Sequence, residues 1–241
     1  MKGMILAAGF GKRLMPLTRE TPKPLLPVKG KPIIVHIIEK MRDSGFDEIM
    51  INLHHLGWKI RDEIGAGEKL GVKVAYSHEE EILGTGGGIK NVEDFFNGEE
   101  CFLIHNGDVF SDLPLMELVR RHLLNPASAT ICLVKGDDSQ SGLRVIGASE
   151  EGEVVSIYAH VTPDFHGRRR IPSPTRSGIY IFSGIHILTP GIFRFLPENK
   201  PSCVVRDGYI PMLEAGMTIN DFIHEGYWSD IGSPEIYEKI K

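Results

Sequence analysis

Short apolar runs alternate with stretches of helical periodicity over the first 135 positions. Met4 to Ala7 is an apolar run that stops at Gly9, the pattern of a buried strand entering a loop. Pro32 suits the first turn of a helix, and Ile33, Ile34, Ile37, Ile38 and Met41 follow at helical spacing before Gly45. Strands are expected at Ile49 to Leu53, Val72 to Tyr76, Phe102 to Ile104 and Thr130 to Val134. Between them lie helical patterns at Trp58 to Ile64, Gly86 to Phe96, and through Leu115, Leu118, Val119, His122 and Leu123. This alternation predicts βαβ units and an α/β, doubly wound (Rossmann-like), mostly parallel sheet. It breaks after residue 135. Arg144 to Ala148, Val154 to Tyr158 and Ile179 to Leu188 read as strands with few helices between them, so a smaller antiparallel region is expected. Helices resume at Ile210 to Ala215 and Pro234 to Ile240, and Thr162 to Ser177 is expected to be a mobile loop. No stretch has the composition of an interdomain linker, so residues 1–241 are expected to form one domain.

Composition narrows the function classes. Of 241 residues, 27 are Lys or Arg and 32 are Asp or Glu, a formal charge of −5. Without a basic face a nucleic-acid partner is not expected, although a small anionic ligand needs only a local cluster of donors and cations. Cys101, Cys132 and Cys203 are odd in number and widely spaced, which suits a reducing compartment better than a disulfide framework. No apolar run approaches the ~18 residues of a membrane span, and Met4 to Ala8 is too short for a signal-peptide core. A cytoplasmic protein without membrane contact is expected.

Candidate chemistry concentrates first in Leu6–Thr18 and Pro22-Lys23-Pro24. Gly9 and Gly11, after a strand, let backbone amides approach phosphate oxygens, and Lys12, Arg13 and Lys23 bring three cations to the same end of the sheet. Two commoner glycine motifs fail here. A dinucleotide fingerprint needs glycine where Leu14 stands. A Walker A loop needs glycine at Leu6 and Ser or Thr at Arg13. Asp108, after a strand and Gly107, is a candidate carboxylate at the ligand face, with a turn residue as the plainer alternative. Glu79 heads the run Glu79 to Glu81, whose plain reading is a solvated acidic stretch, with the glycine-rich Thr85 to Gly88 behind it. His54 and His55, being adjacent, point to opposite faces of an extended chain, and a supporting role suits them better than metal binding. His36 and His122 read as ordinary helix-face residues.

Five motifs in order, Leu6–Thr18 with Pro22-Lys23-Pro24, Leu83–Gly88, Asn106-Gly107-Asp108, Phe182–His186 and Gly226–Gly232, resemble those of the sugar-1-phosphate nucleotidyltransferases. The resemblance covers nearly the whole chain. In short length and in the forms around Glu79, Asn106 and Phe182 it is closest to N-acetylmuramate 1-phosphate uridylyltransferases, with mannose-1-phosphate guanylyltransferases as near neighbours. It implies in-line transfer of a nucleotidyl group from a nucleoside triphosphate, UTP or GTP, to a sugar 1-phosphate, with pyrophosphate leaving. Phosphate oxygens supply the nucleophile, so the protein must position two polyanions and neutralise charge.

By the same resemblance Asp108 and Asp230 would hold Mg²⁺. Lys23 would touch the reacting phosphates, and Arg13 the outgoing pyrophosphate, with Lys12 as a secondary contact. Leu6, Ala8, Gly9, Gly11, Gly84, Thr85 and Gly86 would line the nucleotide, and Asn106, Gly184, Lys23 and Asp230 the sugar phosphate. Glu79 accepts hydrogen bonds only, so it complements the imide of uracil or thymine or the N1–H edge of guanine, and suits cytosine and adenine poorly. One departure stands out. Many relatives carry a Glu-Lys-Pro segment whose lysine binds the sugar phosphate, whereas Ser156–Val161 contains no lysine. His160 or one of Arg168, Arg169 and Arg170 is a candidate substitute. The competing classes are a non-catalytic nucleotide-sugar-binding subunit and an NAD-dependent dehydrogenase, the latter opposed by Leu14. The sugar, the base and the choice between monomer and homo-oligomer stay open.

Overall fold

A computed structural model describes residues 1–136, 145–158 and 180–241. The expected loop at 162–177, together with His160 and Arg168–Arg170, lies outside the described residues. The chain begins with β1 (Lys2–Leu6), a small hairpin of β2 (Pro27–Val28) and β3 (Lys31–Pro32), and α1 (Ile33–Asp43). It continues through β4 (Glu48–Leu53), α2 (Gly57–Ile64), β5 (Lys73–His78), α3 (Gly84–Lys90), β6 (Phe102–Asn106), β7 (Val109–Ser111), α4 (Leu115–Leu124) and β8 (Ala129–Lys135). The second half supplies β9 (Val145–Ala148), β10 (Val154–Tyr158), β11 (Tyr180–Leu188), α5 (Ile210–Glu214), β12 (Ile219–His224), β13 (Trp228–Asp230) and α6 (Pro234–Ile240).

Among the described residues, nine strands form one sheet. β5, β4, β1 and β6 lie side by side and parallel, as the βαβ pattern predicts. β11 then runs antiparallel to β6, β8 antiparallel to β11, and β12 parallel to β8. β11 is long enough to pair with β6 over its second half and with β9 at its start, and β10 completes the antiparallel corner beside β9. The sheet is therefore Rossmann-like and mostly parallel, with the expected antiparallel extension.

Alternation along each central strand feeds two buried layers. Ile5, Ile49, Ile51 and Leu103 point to the side where α1 packs through Ile34, Ile37, Ile38 and Met41. Met4, Met50, Phe102 and Ile104 point to the other side, against Phe96, Phe193 and Tyr209. Both faces of β1, β4 and β6 are covered, which is why these strands read as unbroken apolar runs. Among the described residues no helix is long and apolar enough to cross a membrane.

The structure corrects three details. The expected helix from Gly86 to Phe96 is α3 followed by a separate 3₁₀ turn at Glu93–Phe96, because the glycine-rich start favours a short helix and the chain turns at Asn91 and Val92. β12 was not expected, since Asn220 and Asp221 interrupt its apolar pattern. Asn220 is buried with its amide donating to the Asn125 carbonyl at 2.6 Å, which satisfies a polar group that sequence pattern counts against a strand. Neither was the ribbon of β7 and β13, each three residues long.

Phe102 is fully buried and stacks on Phe96 with centroids 3.9 Å apart, and on Phe193 at 5.6 Å. Phe102→Ala is expected to lower unfolding free energy by about 3–5 kcal/mol, read from the urea midpoint. A loss under about 1 kcal/mol would mean that the surrounding aromatic layer collapses into the space the ring leaves.

Candidate active site

The site lies beyond the carboxyl ends of β1, β4 and β6, where parallel strands release their loops on one side of the sheet. After Leu6 the chain leaves the sheet. The Ala7 amide donates to Asn52 Oδ1 at 2.7 Å, and the Gly107 amide donates to the Leu6 carbonyl at 2.9 Å. The loop then turns through Gly11 and is closed on itself by Thr18, a fully buried residue whose hydroxyl donates to the Gly11 carbonyl at 2.8 Å. Phe10 rests edge-on against His54 and tilted against His55, and His54 Nδ1–H donates to the Glu79 carbonyl at 2.8 Å. Both histidines thus pack around the loop. His36 donates to the Val28 carbonyl and His122 pairs with Thr130.

Two carboxylates far apart in sequence meet at this edge. β7 and β13 pair antiparallel, with Val109 opposite Asp230, and the Ile231 amide donates to the Asp108 carbonyl at 2.9 Å. Lys23, held nearly buried in a one-turn 3₁₀ helix between prolines, forms an ion pair with Asp108. Arg13 lies near the other carboxylate: a Cβ on Gly232 would stand 3.1 Å from both Arg13 Nη1 and Asp230 Oδ2, and the guanidinium charge acts on Asp230. Burial raises the Asp230 carboxyl above its ordinary range, the Asp108 charge raises it further, and Lys23 and Arg13 pull it back. Lys40 anchors this ribbon from beneath, donating to the Ser111 carbonyl, and burial pushes its ammonium down to about 8 against the opposing pull of Asp112. Asp112 in turn pairs with His224 at 2.8 Å.

A cavity of about 210 Å³ opens between the loop and the turn that starts α3. It is lined by Leu6, Ala8 and Gly9 on one wall, by Glu79, Gly84 and Thr85 on another, and by Lys23, Asn106 and Asp108 at one end. Gly11, Lys12 and Arg13 stand on the loop outside the cavity lining, and Gly86 faces away. The Gly86 amide donates to the Ser202 carbonyl at 2.9 Å, so Gly86 packs against the 202–204 strap. Thr85 Oγ1 accepts from the Val204 amide at 3.0 Å. Glu79 is 2% exposed, and its carboxylate already accepts from Asn52 Nδ2 at 2.7 Å and from the Leu83 amide at 2.9 Å. Asn52 lines the cavity too, and a lone Asn in an apolar strand gave no sequence signal beyond its place at the strand's end.

On the other side of Asp230 lies a second cavity of about 570 Å³, lined in part by Lys135, Tyr180, His224, Glu225 and Trp228. β11 reaches it through a bulge: four steps from Phe182 to His186 match two on β8, from Leu133 to Ile131. Gly184 sits in that bulge at φ +81°, and a Cβ there would lie 2.4 Å from Asn106 Nδ2. Trp228 Nε1–H donates to the Ser183 carbonyl at 3.0 Å and holds the bulge in place. Gly184 and Asn106 are thus brought together between the two cavities. Lys135 escaped sequence analysis because it ends an otherwise apolar strand.

The sequence profile of the family described as Nucleotidyl transferase matches residues 2–241. The chain belongs to that family. As a nucleotidyl transferase family member it is 30% identical to a UTP–glucose-1-phosphate uridylyltransferase of Synechocystis, a match that covers 100% of this chain and 63% of the relative. It is 32% identical to a mannose-1-phosphate guanyltransferase of Yarrowia lipolytica, covering 98% of this chain and 61% of that one. The chain thus spans a little over three fifths of the length of these curated relatives. The crystal structure of HddC from Yersinia pseudotuberculosis complexed with GMP-PN superposes with a TM-score of 0.77 at 28% identity, over 99% of this chain and 97% of that one.

Lys40 offers a test of the electrostatics beneath the ribbon. Its folded-state pKa, about 8, lies below its ordinary 10.5, so between those values the unfolded chain binds more protons than the folded one. This group therefore adds stability as pH rises from about 8 toward 10.5. Lys40→Met lacks that contribution, and the urea-midpoint difference between wild type and variant should move in favour of wild type across this window. Parallel midpoint profiles would show that Lys40 is not desolvated.

Proposed function

We propose that this chain catalyses transfer of a nucleotidyl group from a nucleoside triphosphate to a sugar 1-phosphate, with Mg²⁺, releasing pyrophosphate. The observation that carries this reading is the convergence of Asp108, Asp230, Lys23 and Arg13 at the junction of two cavities, one walled by the Leu6–Gly9 backbone and the Glu79–Thr85 turn. We read residues 1–241 as one nucleotidyltransferase domain.

The residues fit a hard divalent cation. Asp108 and Asp230 offer only oxygen donors, and the Asp108 charge disfavours ionisation of Asp230, which a cation between them would reverse. Among the described residues no cluster of three or more such ligands exists, so phosphate oxygens and water would complete the shell. Bound there, Mg²⁺ would supply charge neutralisation at the α-phosphate. The loop amides and Gly9 orient the triphosphate. Asn106 and Gly184 orient the acceptor phosphate, whose oxygen forms the new bond to the α-phosphorus. The bond from that phosphorus to the bridging oxygen breaks, and pyrophosphate leaves with the electron pair. Lys23 faces the phosphates that change charge, and Arg13 the departing end. Among the described residues, Lys135 is the lysine that lines the acceptor-side cavity.

The motif forms support uridylyl transfer, to N-acetylmuramate 1-phosphate or a similar hexose 1-phosphate. Guanylyl transfer is the second reading, supported by the mannose-1-phosphate guanyltransferase at 32% identity. Both use a base that donates to the Glu79 carboxylate.

Pyrophosphate release from UTP, GTP, dTTP and CTP with a panel of sugar 1-phosphates tests the reading. Turnover with UTP or GTP, refusal of CTP and loss in EDTA are expected. Lys23→Ala should lower kcat by roughly 10²–10³, by analogy with a lost oxyanion donor, while Arg13→Ala should also raise the nucleotide KM. Asp108→Asn should remove turnover and leave the fold intact. Activity of Lys23→Ala within a factor of two of wild type, or full activity in EDTA, overturns the assignment.

A further inference from the structure

Asn52 has no part in the roles described so far, yet it is the hinge between the two walls of the nucleotide cavity. It is the penultimate residue of β4, opposite Leu6, and is 2% exposed. Its carboxamide oxygen accepts from the Ala7 amide at 2.7 Å, and its Nδ2–H donates to Glu79 Oε1 at 2.7 Å. Glu79 Oε2 then accepts from the Leu83 amide at 2.9 Å. The relay links the first residue of the phosphate loop to the first residue of the glycine turn through two buried side chains. It is also tightly enclosed: a Cβ on Gly88 would stand 2.8 Å from Asn52 Nδ2 and 2.9 Å from Glu79 Oε1.

The donor and acceptor order admits few side chains. Ala7 and Leu83 both present N–H groups, so an acceptor must face each end, and the middle bond must be donor to acceptor. Asn followed by Glu meets this with a net charge of −1. Each Glu79 oxygen keeps further lone-pair capacity, so structural bonds and a base edge are compatible on one carboxylate. Buried hydrogen bonds of this kind hold geometry strongly, because breaking one orphans a group that water cannot reach.

We propose that Asn52 is a positioning residue for base selection: it locks the Glu79 carboxylate and the phosphate-loop backbone into one unit, so that base and triphosphate are placed together. This deepens the reading above, resting on Glu79 and the Leu83–Gly88 turn receiving the base. Its amide oxygen is engaged by Ala7 and its Nδ2 by Glu79, and it acts through these two residues.

Reversal of polarity separates positioning from simple packing. In Asn52→Asp two carboxylates face each other. In Glu79→Gln the Leu83 amide claims Gln Oε1, which leaves its Nε2–H₂ against Asn52 Nδ2. The double variant Asn52→Asp/Glu79→Gln re-forms every bond: Asp accepts from Ala7 and from the Gln amide, and Gln accepts from Leu83, at unchanged net charge. Steady-state kinetics with the nucleotide that wild type prefers and with CTP should show each single variant losing about tenfold or more in triphosphate KM and in discrimination, with kcat less affected. The double variant should recover most of the KM. Single variants that melt lower but keep KM and the nucleotide ratio within a factor of two would overturn the proposal, as would a double variant no better than the worse single. Should wild type release no pyrophosphate at all, the proposed function fails while the relay is still tested, by calorimetric affinity for UTP and GTP across the same four proteins.

Discussion

Two carboxylates must be held close together, half-buried, against their own repulsion, and much of the surrounding structure is arranged to make that tolerable. The cost is visible at Asp230, whose carboxyl is raised by burial and by the charge of Asp108. Offsetting cations come from the other end of the chain: Lys23 on Asp108 and Arg13 beside Asp230. Geometry comes from the β7–β13 ribbon, whose ladder and the Ile231–Asp108 bond leave the two aspartates little freedom to separate. Lys40 underneath accepts desolvation in order to hold the Ser111 carbonyl, so the ribbon is tied to α1 and not left as a free hairpin. An isolated two-stranded ribbon this short has little stability of its own. Its ties to the core give it the rigidity the aspartates need.

The sheet sets where this can happen. Parallel β5, β4, β1 and β6 release their loops at one edge, while antiparallel β11 crosses beside β6 and brings Gly184 against Asn106. The bulge is what lets one strand serve two purposes. Its later half completes the core beside β6, and its earlier half turns toward β9 and the acceptor-side cavity. The change of strand direction thus marks the boundary between the two cavities.

The parallel core was legible because its strands are buried on both faces and its helices carry clean apolar stripes; α1, with Ile34, Ile37, Ile38 and Met41 inward, is the plainest case. The site motifs were legible because glycine, proline and charged residues cluster in them at the ends of those strands. Pairings between distant segments were not. Trp228-Ser229-Asp230 has no strand signature, and becomes one only because Val109–Ser111 lies beside it. Asn220 and Asp221 hide β12, since their polar groups are satisfied by partners that local pattern does not reveal. Asn52 looked like an ordinary strand end for the same reason: its meaning lies in Ala7 and Glu79, 45 and 27 residues away.

The two cavities are built by different means, and this bears on how relatives of one fold come to differ. On the function proposed above, the nucleotide wall is backbone and buried relay, with Ala7, Asn52, Glu79 and Leu83 joined in series, so a change at one member disturbs all of them. The acceptor wall is side chains at strand ends, among them Lys135, Tyr180 and Trp228, each set by its own packing. Substitution there alters shape and charge locally, whereas substitution in the relay must be matched by a second change that preserves donor and acceptor order. On the function proposed above, base choice would thereby be the more constrained of the two specificities, and acceptor choice the freer.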